Sequence, residues 1–80
     1  MHHNAKKRQE ILEVLYKARE SKASKKFVQD WTPESDLKNA VGDIDFALSV
    51  LIEIGLVKRE GYQVQITGAG VIACEVGQID

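Results

Sequence analysis

Cysteine and histidine are scarce in this sequence, and each scarcity closes off a class of protein. One cysteine, Cys74, excludes an internal disulfide and fits a reducing, cytoplasmic setting. The two histidines, His2 and His3, stand beside Met1. There they read as a frayed terminus or a tag remnant. No Cys-x-x-Cys pair or histidine–carboxylate cluster offers a closed metal site. Cys74 has Val71 and Ile72 near it on its helix and no histidine to activate it, so it reads as a small buried or half-buried apolar residue. Hydrolysis needs a nucleophile, an orienting base and a cleft, so neither an enzyme nor a bound metal is expected. No apolar run approaches the roughly 18 residues of a membrane span, and nothing resembles a signal peptide.

What is present is ordinary globular material. With 44% hydrophobic and 29% charged residues in 80, the composition argues for one folded domain, expected over residues 5–79 after a disordered 1–4. A chain this short buries only about 60% of its unfolded surface, so its core must be compact. The net charge of −1 conceals a split: residues 1–26 carry +5 and residues 27–80 carry −6. Such a split marks either a nucleic-acid arm or a solvated helix face.

Periodicity orders the chain. Ile11, Val14, Leu15 and Ala18 recur at helical spacing, and Glu13 stands four before Lys17, which predicts an amphipathic helix from Ala5 to about Glu20. Residues 21–31 fit either a short helix or a short strand at Lys26–Val28. Thr32 as N-cap, Pro33 at the first helical position and Glu34 and Asp36 in the first turn predict a second helix, stopped by Gly42. Asp43 is expected to cap a third helix running to about Ile54, with Ile44, Ala47, Leu48 and Leu51 inward and Gly55 ending it. The period then changes from 3.6 to 2. Residues 56–59 and 62–67 read as a hairpin with Tyr62, Val64 and Ile66 on its core side, followed by a helix from Ala69 to about Val76 presenting Val71, Ile72 and Val76. The expected core is Ile11, Leu15, Leu37, Ala47, Leu48, Leu51, Leu56, Val64 and Ile66, and Tyr16 and Trp31 are assigned to packing rather than to base stacking.

Helix, short helix, turn, helix, hairpin is the order of a helix-turn-helix with a β wing, an α+β fold. The residues Thr32-Pro33-Glu34-Ser35-Asp36-Leu37, then Gly42, then Leu48-x-x-Leu51-x-x-x-Gly55-Leu56-Val57 resemble the winged-helix superfamily of small bacterial regulators. Tyr62…Ile66-Thr67-x-x-Gly70 is similar to the strand that closes its wing. The resemblance spans residues 5–76. It implies a winged helix-turn-helix of three main helices, a small antiparallel wing and a short C-terminal helix. Its implied function is DNA binding and transcription regulation, although winged helices also serve as protein-interaction and dimerisation modules.

Two sets of residues follow. In a winged helix the outward face of the third helix enters the major groove, where Arg, Lys, Asn and Gln read base edges. Here that face is Asp45, Ser49 and Glu53 flanked by Asp43, Phe46 and Ile52, with no basic or amide side chain. DNA contact would therefore rest on the backbone of a duplex through Lys25, Lys26, Lys58 and Arg59, with Ser49 as the remaining polar group on the reading helix. The other reading makes Asp45, Phe46, Ile52 and Glu53 a contact surface for a protein partner or a second copy, an aromatic anchor with a charged edge. Finally, Gly68-Ala69-Gly70-Val71-Ile72-Ala73 matches a dinucleotide fingerprint. That motif also requires a second parallel strand and an acidic residue about 20 positions on. Seven residues follow Ala73, so no cofactor is expected, and the two glycines are assigned to a tight turn.

Overall fold

The computed structural model describes residues 3–22 and 31–77. Helix α1 (His3–Lys22) leads to strand β1 (Thr32–Pro33), α2 (Glu34–Val41), α3 (Asp45–Glu53), β2 (Val57–Glu60), β3 (Gln63–Ile66) and α4 (Gly68–Val76). The strands form one antiparallel sheet in the order β1-β3-β2, with Thr32 opposite Val64 and Val57 opposite Ile66. The described residues are thus α+β: four helices and a three-stranded antiparallel sheet. The choice between helix and strand before Trp31, and Lys25 and Lys26 with it, lies outside the described residues.

The change of period at Gly55 has a defined geometry. Gly55 takes φ +85°, a left-handed conformation that costs a side chain. Its N–H donates to the Ile52 carbonyl at 3.1 Å, and the Leu56 N–H reaches back to the Leu51 carbonyl at 3.0 Å. These paired bonds form a Schellman motif, which satisfies the last carbonyls of α3 and turns the chain into β2. Two residues, Gly61 and Tyr62, then close the hairpin between Glu60 and Gln63, and Gly61 supplies φ +62° as a type II′ turn requires.

Among the described residues, eleven side chains, each 2% exposed or less, form the core: Ile11, Leu12 and Leu15 from α1, Leu37 from α2, Ile44, Ala47, Leu48 and Leu51 from α3 and its cap, and Val57, Val64 and Ile66 from the sheet. At about 1.5–3 kcal/mol for each large side chain removed from water, this cluster is the main source of stability. It contains every expected residue except Leu56, which is half-buried against it. Leu12 enters where Val14 and Ala18 are only half-buried, because α1 packs on α2, α3, β3 and α4 at once and needs a wider apolar face.

Several expected boundaries are corrected. His3 and Asn4, expected among disordered residues 1–4, belong to α1. Thr32 caps no helix. Its backbone pairs with Val64, Pro33 occupies the cap position, and the Glu34 N–H at the start of α2 donates to Tyr62 O at 2.8 Å. The hairpin turn therefore supplies the acceptor that a capping side chain would have given. Asp43 also stands one residue too early to be the cap. Ile44 holds that position because its side chain must be buried, and Asp43 Oδ1 accepts from the Asp45 N–H at 3.3 Å. Tyr62 is not on the core side of the wing. It lies in the turn and is 89% exposed.

Helix α4 is rotated from expectation. Val71 and Cys74 pack on the core, whereas Ile72 and Val76 are exposed. Gly70 sets this rotation: a Cβ there would lie 2.1 Å from the Leu56 carbonyl oxygen and 2.7 Å from Ile66 Cγ1. Its role is close approach of two backbones rather than a turn.

Candidate contact surface on the third helix

The burial of Ile44, Ala47, Leu48 and Leu51 fixes which residues of α3 face outward. Asp45, Phe46, Ser49 and Glu53 are exposed, and Phe46 is 62% exposed, so it does not fold back under cover against Val41. Ile52, expected to stand beside it as a second apolar anchor, instead packs partly buried on the core. On α3 the exposed aromatic side chain is Phe46. Ser49 Oγ donates to the Phe46 carbonyl at 2.7 Å, an intrahelical bond that ties up its proton. Asp45 stands 3.6 Å from Lys38 Nζ, an exposed pair of small energetic weight.

Beside Phe46 lies a cleft of about 110 Å³, lined by Asn4 and Lys7 of α1 with Asp43, Phe46 and Ala47. Asn4 and Lys7 are one helical turn apart and so share the α1 face turned towards α3. Lys7 Nζ is held by the Val41 carbonyl and by Glu10 Oε1 at 3.3 Å. Sequence reasoning missed this cleft. Asn4 was expected in a disordered terminus rather than in the first turn of α1, and nothing in the sequence joined Lys7 to Phe46.

The wing residues expected at DNA are not brought together. Lys58 and Arg59 are neighbours on β2, so they leave the sheet by opposite faces. Arg59 Nε meets Glu34 Oε2 at 2.8 Å. Lys58 Nζ lies 5.7 Å from the centre of the Trp31 ring, within cation–π range, and Trp31 itself is half-buried. Each cation thus has an intramolecular partner.

Elsewhere, Tyr16 Oη donates to Glu75 Oε2 at 2.8 Å, joining α1 to α4. That bond, with desolvation and the carboxylate charges around it, raises the Tyr16 phenol above its usual pKa. Burial, then the charges of Glu13 and Glu75, raise the Cys74 thiol, which disfavours the reactive thiolate. Among the described residues no group of three or more His, Cys, Asp or Glu side chains is placed to hold a metal ion. No described helix is long and apolar enough to cross a membrane. No protein-family model, curated protein or solved structure matches this chain.

Proposed function

We propose that this chain is a winged-helix module that works by protein contact, using the outward face of α3. The order α1-β1-α2-α3-β2-β3 and the β1-β3-β2 antiparallel sheet support the winged-helix reading. The observation that carries the functional reading is Phe46, 62% exposed on a helix face whose charged members are all carboxylates. An aromatic left in water and edged by charge is the usual composition of an interface anchor. Pressed towards a duplex, the same face would set Asp45 and Glu53 against phosphates with no basic group of α3 to offset them.

The second reading is DNA binding through the backbone, and the exposure of Lys58 and Arg59 favours it. Titrating a labelled random duplex with the protein at about 50 mM salt separates the two, because phosphate contacts are strongest at low ionic strength. The expected result is no binding. Binding that disappears on Lys58→Ala with Arg59→Ala overturns the protein-contact reading in favour of DNA.

A further inference from the structure

We propose that α4 is a releasable strap: residues 71–76 come away from the domain as a unit while the rest stays folded, and the hydrogen bond between Tyr16 and Glu75 is the latch that holds them. This goes beyond the contact reading of α3 and does not depend on it. The N-terminal end of α4 is pinned. The Thr67 N–H donates to the Leu56 carbonyl at 3.0 Å, and Thr67 Oγ1 donates to the Gly55 carbonyl at 2.7 Å while accepting the Gly70 N–H at 3.1 Å. Gly70 lies so close to the Leu56 carbonyl that a Cβ would not fit. Ile66, one residue before Thr67, is in the core.

Beyond Gly70 the hold weakens. Helices α1, α2 and α3 each enclose at least one large side chain completely, whereas α4 adds none to the core cluster. Val71 and Cys74 are half-buried against it, and Ile72, Glu75 and Val76 are exposed. A hollow of about 210 Å³, lined by Tyr16, Arg19, Glu20 and Val71, loosens the seam between α1 and α4. Across that seam Tyr16 Oη donates to Glu75 Oε2 at 2.8 Å, in the last turn of α4. Segments with few buried apolar contacts open first, at a cost below that of unfolding the whole domain. A segment as short as 71–76 does not keep a helix by itself in water, so once the latch parts it unwinds as it leaves. Release turns out Val71 and Cys74 and uncovers the surface of α1 and β3 on which α4 packs, a surface that the closed domain hides.

Hydrogen exchange of the whole chain, followed amide by amide through a series of low denaturant concentrations, tests the strap. The amides of Ile72 to Val76 should exchange about 10-fold or more faster than those of Leu48 and Leu51, which open only with the domain. Their rates should also depend little on denaturant, because release exposes far less surface than unfolding. Tyr16→Phe keeps the ring and removes the donor. It should speed exchange at Ile72 to Val76 about 5–10-fold, the effect of losing one partly exposed hydrogen bond. The equilibrium constant for global unfolding should rise by the same factor, since the bond is broken in both opened states. Glu75→Ala should do the same, and combining the two should add nothing further, because either change alone removes the bond. Should Tyr16→Phe fail to fold, Glu75→Ala decides on its own, at an exposed position. Exchange of Ile72 to Val76 at the rate and denaturant slope of Leu48 and Leu51 overturns the proposal. So do α4 rates that stay unchanged in the variants, or a double variant whose two effects simply add. None of these results bears on the contact reading of α3, which the duplex titration tests.

Discussion

Gly70→Ala should be among the most damaging single-methyl changes available in this chain. The added Cβ would sit 2.1 Å from the Leu56 carbonyl oxygen, where non-bonded heavy atoms settle near 3.5 Å, so something must move by more than an ångström. Neither neighbour yields easily. The Leu56 oxygen accepts the Thr67 N–H at 3.0 Å, and its residue is held by the turn that ends α3. Ile66, whose Cγ1 would be 2.7 Å away, is a core residue. Overpacking of this kind costs about 1–3 kcal/mol, and the upper half applies because backbone rather than a side-chain tip must shift. Replacing a helical glycine returns up to about 1 kcal/mol. The net loss is about 2 kcal/mol, out of the roughly 4–12 kcal/mol expected for a domain this small. At about 4–8 °C per kcal/mol, the unfolding midpoint should fall by roughly 8–16 °C. Gly68→Ala is the matched control: a Cβ there meets nothing within 4 Å and its φ is ordinary, so it should be neutral or stabilising by up to about 1 kcal/mol. Thermal unfolding followed by circular dichroism reads both. If Gly70→Ala melts within a degree or two of the parent, or if the two variants behave alike, the close packing of α4 on the Leu56 backbone is wrong.

Leu48→Ala should cost about 2–5 kcal/mol by denaturant unfolding, since its side chain is fully enclosed by the core. Phe46→Ser should leave the unfolding midpoint nearly unchanged, whatever it does to association. One tyrosine should titrate above the usual phenol pKa of about 10 when followed by ultraviolet absorbance, and Glu75→Gln should lower it by removing the acceptor charge. A raised folded-state pKa means that this contribution to stability is complete below about pH 10 and is lost as pH rises through the titration of Tyr16, so Tyr16→Phe should flatten the alkaline limb. Arg59→Ala, which breaks an exposed ion pair with Glu34, should cost no more than about 1 kcal/mol.

Local rules made the third helix and the hairpin legible in the sequence. Ile44, Ala47, Leu48 and Leu51 keep strict helical spacing, Gly55 ends the helix where a left-handed residue is needed, and Val64 and Ile66 alternate inward. Distant partners decided the rest. Thr32 carried a good capping signal, yet its backbone pairs in the sheet and the Tyr62 carbonyl, 28 positions away, takes the first helical N–H of α2. Val71, Ile72 and Val76 looked equivalent on α4 until Leu56 fixed how close that helix comes and which side it turns in. On α3, Phe46 was legible as an outward side chain because Ile44, Ala47, Leu48 and Leu51 already completed the inner stripe. Ile52 was not, since a position at the edge of that stripe turns inward or outward according to neighbours the sequence does not order. Lys58 and Arg59 were visible as charges, but the Trp31 ring and the Glu34 carboxylate that engage them were not.

The small sheet also governs how this protein behaves when it is crowded. A strand with unpaired backbone groups invites another strand to add on, and a sheet of three offers two such margins. One margin here is β1, two residues long with Pro33, which has no N–H to offer an incoming chain. The other is β2, four residues of which three, Lys58, Arg59 and Glu60, are charged and exposed. Among the described residues, neither margin gives fibril-like stacking a template. Concentrated solutions should remain clear and reversible on dilution, and turbidity on heating should follow unfolding rather than precede it.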